Sequence, residues 1–72
     1  MLIGKIDSKI RQKILVTIRG VKGIRMIDFR VHQTGDDGEL IATPAGVCLT
    51  LDQTEQAIEL LKEAKMRVAE QE

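Results

Sequence analysis

Residues 24–50 decide the fold, and they read IRMIDFRVHQTGDDGELIATPAGVCLT. The first ten alternate between two sets of side chains, which is the period-two pattern of a β-strand. Asp37-Gly38 then predicts a tight hairpin turn, because glycine adopts the positive φ that such turns need. A shorter returning strand and a break at Pro44-Ala45-Gly46 follow. One side of the long strand carries Arg25, Ile27, Phe29 and Val31, and the other carries Met26, Asp28, Arg30 and His32. Neither side is wholly apolar, which favours a curved antiparallel sheet.

The segment before residue 24 predicts two more strands. Met1 to Ile6 is a short candidate, and Ile14 to Arg19 is richer in the β-branched residues that strands favour. Residues 7–13 between them predict a loop or a strand extension. Residues 20–23, GVKG, predict a turn, since two glycines supply the dihedral freedom that it needs.

The segment after residue 50 predicts one long helix. Apolar residues recur at helical spacing from Leu51 to about Glu70, and Thr50 with Gln53 forms the T-x-x-Q pattern of a capping box. Glu63 and Arg67 stand four residues apart, the spacing of a helical ion pair. The predicted fold class is therefore α+β: a four-stranded curved antiparallel sheet followed by one C-terminal helix.

The chain length favours self-association. Seventy-two residues predict a single domain, 1–72, and a chain of this size buries only about 60% of the surface that it exposes when unfolded. Phe29 is the only aromatic residue, and the single cysteine, Cys48, cannot form an internal disulfide. The predicted helix, about 30 Å long, exceeds what a small sheet can cover. We therefore expect a homodimer formed through the C-terminal helix.

The charge distribution points to a polyanionic partner, although the net charge is zero. Residues 1–33 hold eight basic and two acidic side chains, a net charge of +6, and residues 34–72 hold three basic and nine acidic ones, a net charge of −6. The predicted sheet is thus cationic and the predicted helix anionic. The alternative is that both are simply solvated faces.

Other functional classes find little support in the residues. His32 is the only histidine and has no nucleophile or carboxylate at a spacing that forces contact, so we expect no enzyme. One His and one Cys are too few for a metal site, and no motif predicts a cofactor. Cys48 in its apolar run predicts a packed thiol in a reducing compartment. No long apolar run or signal segment is present, so we expect a cytoplasmic protein with no membrane partner.

The order of several short motifs resembles the DNA-binding domain of the positive-cofactor-four family of transcriptional coactivators. The motifs are Ile3-Gly4-Lys5, Lys22-Gly23, Asp28-Phe29-Arg30, Asp37-Gly38-Glu39 and Gly46-Val47-Cys48-Leu49-Thr50, followed by Asp52-Gln53. The resemblance covers nearly the whole chain, with about six additional residues between the first two strands. It implies a homodimer that binds single-stranded DNA without sequence preference, in transcription regulation or in the protection of unwound DNA. It also leaves room for transcription machinery as a partner and for association with the nucleoid.

The resemblance also implies phosphate-contacting positions. The lysine of the first strand matches Lys5, the lysine of the turn matches Lys22, and the arginine of the long strand matches Arg30. Arg19 and Arg25 are neighbours that could contribute. The stacking aromatics of the family are replaced by Val21 and Gln33, which predicts weaker and more salt-sensitive binding. The alternative function is a dimeric protein-interaction module that has kept the fold and lost DNA binding, and a preference for duplex DNA or RNA is a variant of the first.

Overall fold

Four strands follow one another along the chain, and each pairs antiparallel with the next, so the sheet order is β1-β2-β3-β4. The computed structural model describes residues 1–71. The strands are β1 (Leu2–Asp7), β2 (Gln12–Val21), β3 (Ile24–Thr34) and β4 (Leu40–Leu49), and the helix α1 is Leu51–Gln71. The predicted α+β class, with a four-stranded sheet and one C-terminal helix, is confirmed.

The turn between β2 and β3 is tighter than predicted. Val21 pairs directly with Ile24, so the turn consists of Lys22 and Gly23 alone, with φ of 51° and 81°. Positive φ at both central residues is the mark of a type I′ turn, whose twist matches that of the flanking strands. Gly20, which the sequence placed in the turn, pairs with Arg25 inside the ladder.

The other two connections are also short. In the β3–β4 turn the Gly38 N–H donates to the Gly35 carbonyl at 3.0 Å, and Gly38 has the positive φ predicted for it, 85°. In the β1–β2 turn the Gln12 N–H donates to the Lys9 carbonyl at 2.9 Å. Asp7 and Lys13 are paired as the last step of the β1–β2 ladder, so the predicted strand extension is correct and the loop is only four residues long.

The predicted break at Pro44-Ala45-Gly46 is a bulge, and β4 continues beyond it. Gly46 pairs with Arg30 and Ala42 pairs with His32, so three residues of β4 stand opposite Val31 alone. Thr43 Oγ1 accepts the Ala45 N–H and donates to the Val31 carbonyl at 2.8 Å, which satisfies groups that the bulge removes from the ladder. The returning strand is shorter than β3 by only one residue, ten against eleven, because the predicted break does not end it.

The sheet has two chemically different faces. The helix face, on which α1 lies, is mostly apolar, and the open face, on the other side, is mostly polar. The helix face carries Ile6, Ile14, Val16, Ile18, Ile27, Phe29, Val31, Val47 and Leu49. The open face carries Lys5, Asp7, Lys13, Leu15, Thr17, Arg19, Asp28, Arg30, His32 and Cys48. The alternation that the sequence predicted for β3 matches these faces residue by residue.

Helix α1 begins at the predicted capping box. The Thr50 N–H donates to Gln53 Oε1 at 3.0 Å, and the Gln53 N–H donates to Thr50 Oγ1 at 3.2 Å. The predicted Glu63–Arg67 ion pair forms at 2.9 Å. Within the described chain α1 contacts only β3 and β4, and none of its residues is buried. Residues 1–71 include no helix that is both long and apolar enough to cross a bilayer.

Candidate nucleic-acid interface

The basic residues of the open face lie in two neighbouring rows across the sheet and in one position farther along. Lys5 and Arg30 flank Leu15 in one row, because Leu15 pairs with both. Lys13 pairs with His32 in the adjacent row. Arg19 lies farther along β2 and pairs with Met26. Four basic side chains therefore share the face with two carboxylates, Asp7 and Asp28, which leaves an excess of two positive charges.

Arg30 is held by groups of its own chain. Its Nε donates to Asp28 Oδ2 at 3.1 Å and its Nη2 donates to Asp28 Oδ1 at 3.0 Å. Its Nη1 donates to the carbonyls of Thr43 and Pro44, both at 3.1 Å. The hydrogen bonds to Asp28 raise the pKa of Arg30 above its ordinary value. Arg30 thus neutralises Asp28 and holds the β4 bulge through hydrogen bonds to its carbonyls. Little of its guanidinium remains free for a phosphate.

Asp28 is the buried centre of this network. It is 5% exposed, and Leu15, on the same face, is the only buried hydrophobic residue among residues 1–71, at 8% exposed. Helix α1 lies on the other side of the sheet, so these two side chains are buried by neighbouring side chains of the open face. Burial of a carboxylate requires paired charge and hydrogen bonds, which Arg30 supplies.

Lys5 and Arg19 keep their charged groups accessible. Lys5 is exposed on the edge strand β1, and within residues 1–71 no carboxylate lies within ion-pairing distance of it. Arg19 reaches toward Asp28, with its Nη1 3.9 Å from Oδ1, while about half of the Arg19 side chain stays in solvent. Both therefore offer donors to a ligand on the open face.

Lys22 and Arg25 lie elsewhere. Lys22 is at the tip of the β2–β3 turn, three residues beyond Arg19, and is exposed. Arg25 pairs with Gly20 and belongs to the helix face, where it lines a small pocket of about 190 Å³ beside Leu51, the first residue of α1. Of the five predicted positions, the structure therefore brings Lys5, Arg19 and Arg30 to one face, with Lys22 at its end and Arg25 behind it.

Lys13 is a basic residue of the open face that the sequence interpretation passed over. Its Nζ donates to the Asp7 carboxylate, and this hydrogen bond lowers the pKa of Asp7 below its ordinary value of 3.8. Lys13 is an even number of residues from Leu15 and Arg19, so all three lie on the same face of β2. A predicted strand that began before Ile14 would have included it. Within residues 1–71 no cluster of His, Cys, Asp and Glu side chains could hold a metal ion.

Comparison with solved structures places this arrangement in a known fold. The chain superposes on the crystal structure of a PC4 homolog from Burkholderia pseudomallei with a TM-score of 0.85 and 25% sequence identity. The alignment covers 90% of this chain and 88% of that one. The chain has a PC4-like fold. PC4 stands for positive cofactor four, the family whose motif order the sequence resembles. No protein-family model and no curated protein sequence matches the chain.

The PC4-like fold leaves an apolar groove open between the sheet and α1. Its volume is about 500 Å³. The groove is lined by Val16, Ile27, Phe29, Val47, Leu49, Thr54, Ala57, Ile58, Leu60 and Leu61. Leu61 on the helix is 66% exposed, and Phe29 on the sheet is 38% exposed. The side of the molecule that should hold its hydrophobic core therefore faces solvent in a single copy.

Proposed function

We propose that this chain is a member of the positive-cofactor-four family and acts as a homodimer that binds single-stranded DNA without sequence preference. The role would be in transcription regulation or in the protection of unwound DNA, with residues 1–72 as one binding domain. The observation that carries the proposal is the PC4-like fold together with basic side chains, at Lys5, Arg19 and Lys22, that the chain itself leaves largely unneutralised.

The uncovered helix face supports the dimer. Leu15 is the only hydrophobic side chain that residues 1–71 bury, so a single copy buries too little apolar surface to offset the conformational entropy of folding. Its radius of gyration is 14.3 Å, whereas a compact domain of this length has about 11 Å. A second copy that lays its own α1 along the groove would bury the same surfaces on both copies, as an isologous interface requires.

The charge on the open face supports weak, electrostatic recognition. Phosphates attract Lys and Arg without regard to base sequence, and sequence-independent binders of single strands usually add stacking aromatics. Val21 and Gln33 stand where the family has aromatics, so stacking contributes nothing at these positions. Affinity should fall steeply with salt, with a slope of about −0.7 per neutralised phosphate in a plot of log K against log salt.

Fluorescence anisotropy with a labelled poly-deoxythymidine strand tests the proposal. We expect micromolar protein to bind at about 50 mM salt and to release the strand at several times that concentration. The paired change Lys5→Gln with Lys22→Gln should weaken binding at unchanged thermal stability. The matched control is Lys62→Gln with Lys65→Gln on α1, which should bind like the unmodified protein.

A dimeric protein-interaction module is the alternative, and two observations favour it. Arg30 is occupied by Asp28, and α1 presents acidic side chains, including Asp52, Glu55 and Glu59, to solvent. If neither single-stranded nor duplex DNA is bound at low salt while the protein sediments as a dimer, this alternative replaces DNA binding. A monomer of 8.0 kDa at low concentration would contradict the dimer in both versions.

A further inference from the structure

Two residues of the chain adopt a backbone conformation that side chains ordinarily avoid. Among residues 1–71, the only non-glycine residues with positive φ are Arg11 at 65° and Lys22 at 51°. In this region the Cβ atom crowds the backbone, so glycine, asparagine or aspartate is the usual occupant. Both positions hold a basic residue instead, at the tips of the β1–β2 and β2–β3 turns.

The side chains of these two residues make few contacts within residues 1–71, although the Arg11 carbonyl accepts the Thr34 N–H at 2.8 Å and the positive φ of Lys22 belongs to the type I′ turn. The only ion pair of Arg11 is with Asp36, whose Oδ1 lies 3.8 Å from Nη1, and both side chains are well exposed, at 65% and 107%. Exposed pairs of this kind contribute little to stability. Lys22 makes no side-chain hydrogen bond or ion pair within residues 1–71. Neither charge is therefore required for folding.

The two strained residues mark the ends of one strand. Arg11 directly precedes β2 and Lys22 directly follows it, so ten strand residues, about 33 Å, separate them. Lys13 and Arg19 lie between them on the open face. The four basic residues form a line along β2 that is far longer than one phosphate group, and only a polyanion could contact both of its ends.

We propose that Arg11 is a nucleic-acid contact and that the bound strand follows β2 from the Lys22 turn to the Arg11 turn. This inference rests on the proposed DNA binding. It adds the path of the bound strand along β2 and a contact residue, Arg11, in the segment that the family pattern lacks. Residues in this backbone region cluster at functional sites, and the function inferred here is to hold a cation at each end of the line.

Paired substitutions separate charge from strain. Arg11→Gly removes both, and Arg11→Ala removes the charge but keeps the strained backbone. We expect both to weaken binding of the labelled deoxythymidine strand similarly, by roughly three- to tenfold at about 50 mM salt, and to reduce the salt slope by about 0.7. Only Arg11→Gly should raise Tm, by about 3 °C, since glycine relieves the strain.

Two further variants serve as controls. Arg11→Lys keeps the charge and should bind like the unmodified protein. Asp36→Asn frees Arg11 from its nearby carboxylate and should tighten binding by about twofold. The gain should disappear when Asp36→Asn is combined with Arg11→Ala; a gain that persists there comes from the loss of the Asp36 charge alone and contradicts the Arg11 contact.

The outcomes are distinguishable. If the unmodified protein binds DNA and both Arg11→Gly and Arg11→Ala retain its affinity and salt slope, the path along β2 is wrong and the proposed function stands. If the unmodified protein binds no DNA, the proposed function and this inference fail together. If Arg11→Gly does not fold, Arg11→Ala and Arg11→Lys decide the matter by the same comparison of affinity.

Discussion

The two faces of the sheet are completed in opposite ways. On the open face, Asp28 is buried and its charge is met by Arg30 of the same strand, so the chain satisfies this face by itself. On the helix face, Leu61 and Phe29 lie in a groove that α1 leaves open. The same strands thus carry one surface that a single copy completes and one that a single copy leaves open to solvent. The comparison predicts that changes to the buried Asp28–Arg30 network of the open face act on the fold of each copy, and that apolar-to-polar changes on the helix face act on assembly.

Leu61→Glu should have the largest effect. In a single copy the residue is 66% exposed, and a charge there would be tolerated. If a second copy covers the groove, the buried carboxylate splits the dimer, and the separated chains lose their cooperative thermal transition because they bury too little. Sedimentation and circular dichroism at matched protein concentration measure both effects. Ile10→Glu, at a fully exposed turn position, is the matched control and should change neither. An unchanged dimer in Leu61→Glu would show that the groove is not the interface.

Asp28→Ala should have the next largest effect, on the other face. It leaves the Arg30 guanidinium without its carboxylate and loosens the fastening of the β4 bulge. We expect Tm to fall by at least about 10 °C, since removal of one partner from a buried pair is strongly destabilising. Asp36→Ala removes an exposed carboxylate and should shift Tm by no more than about 3 °C. Equal shifts in the two variants would mean that the Asp28 network contributes nothing beyond a surface pair.

Loss of the contact between Asp7 and Lys13, at the exposed edge of the open face, should have the smallest effect on stability. The hydrogen bond and charge of Lys13 hold the pKa of Asp7 below 3.8 in the folded state. Because the folded pKa lies below the unfolded one, the contact stabilises the protein above pH 3.8 and is lost as the pH falls through the folded value. NMR titration of the Asp7 carboxyl carbon should give a midpoint below 3.8, and Lys13→Gln should restore the ordinary value. Lys9→Gln, a nearby charge outside the contact, should leave it unchanged.

Local patterns predicted most of the fold. The alternation of residues 24–33 gave the faces of β3 correctly, and Thr50 with Gln53 located the start of α1 to the residue. Both depend on interactions between residues close in sequence, which the sequence displays directly. The bulge in β4 was harder to predict. Proline and glycine indicate an interruption of the strand, whereas the strand continues because Thr43 bonds to Val31 of the partner strand, which the local sequence does not show.

The candidate site was less predictable from sequence. Asp28 and Arg30 stand two residues apart on one face of a strand, a spacing that fits either two exposed charges or one buried pair. The choice depends on the carbonyls of the β4 bulge, thirteen and fourteen residues away from Arg30 in the sequence. The positive φ of Arg11 was equally hidden, since arginine does not suggest a left-handed turn residue. Arg25 was predicted as a possible phosphate contact from its place in the sequence alone. The position of α1, which the sequence does not display, puts Arg25 on the helix face instead.

The bulge in β4 limits the addition of further strands to this edge of the sheet. β4 is an edge strand, and a regular edge invites further strands to add to it without limit. Pro44 offers no N–H, and three residues opposite one disturb the spacing of the outward-facing groups. The proposed pairing through the helices would therefore leave a β4 edge that resists the addition of further strands.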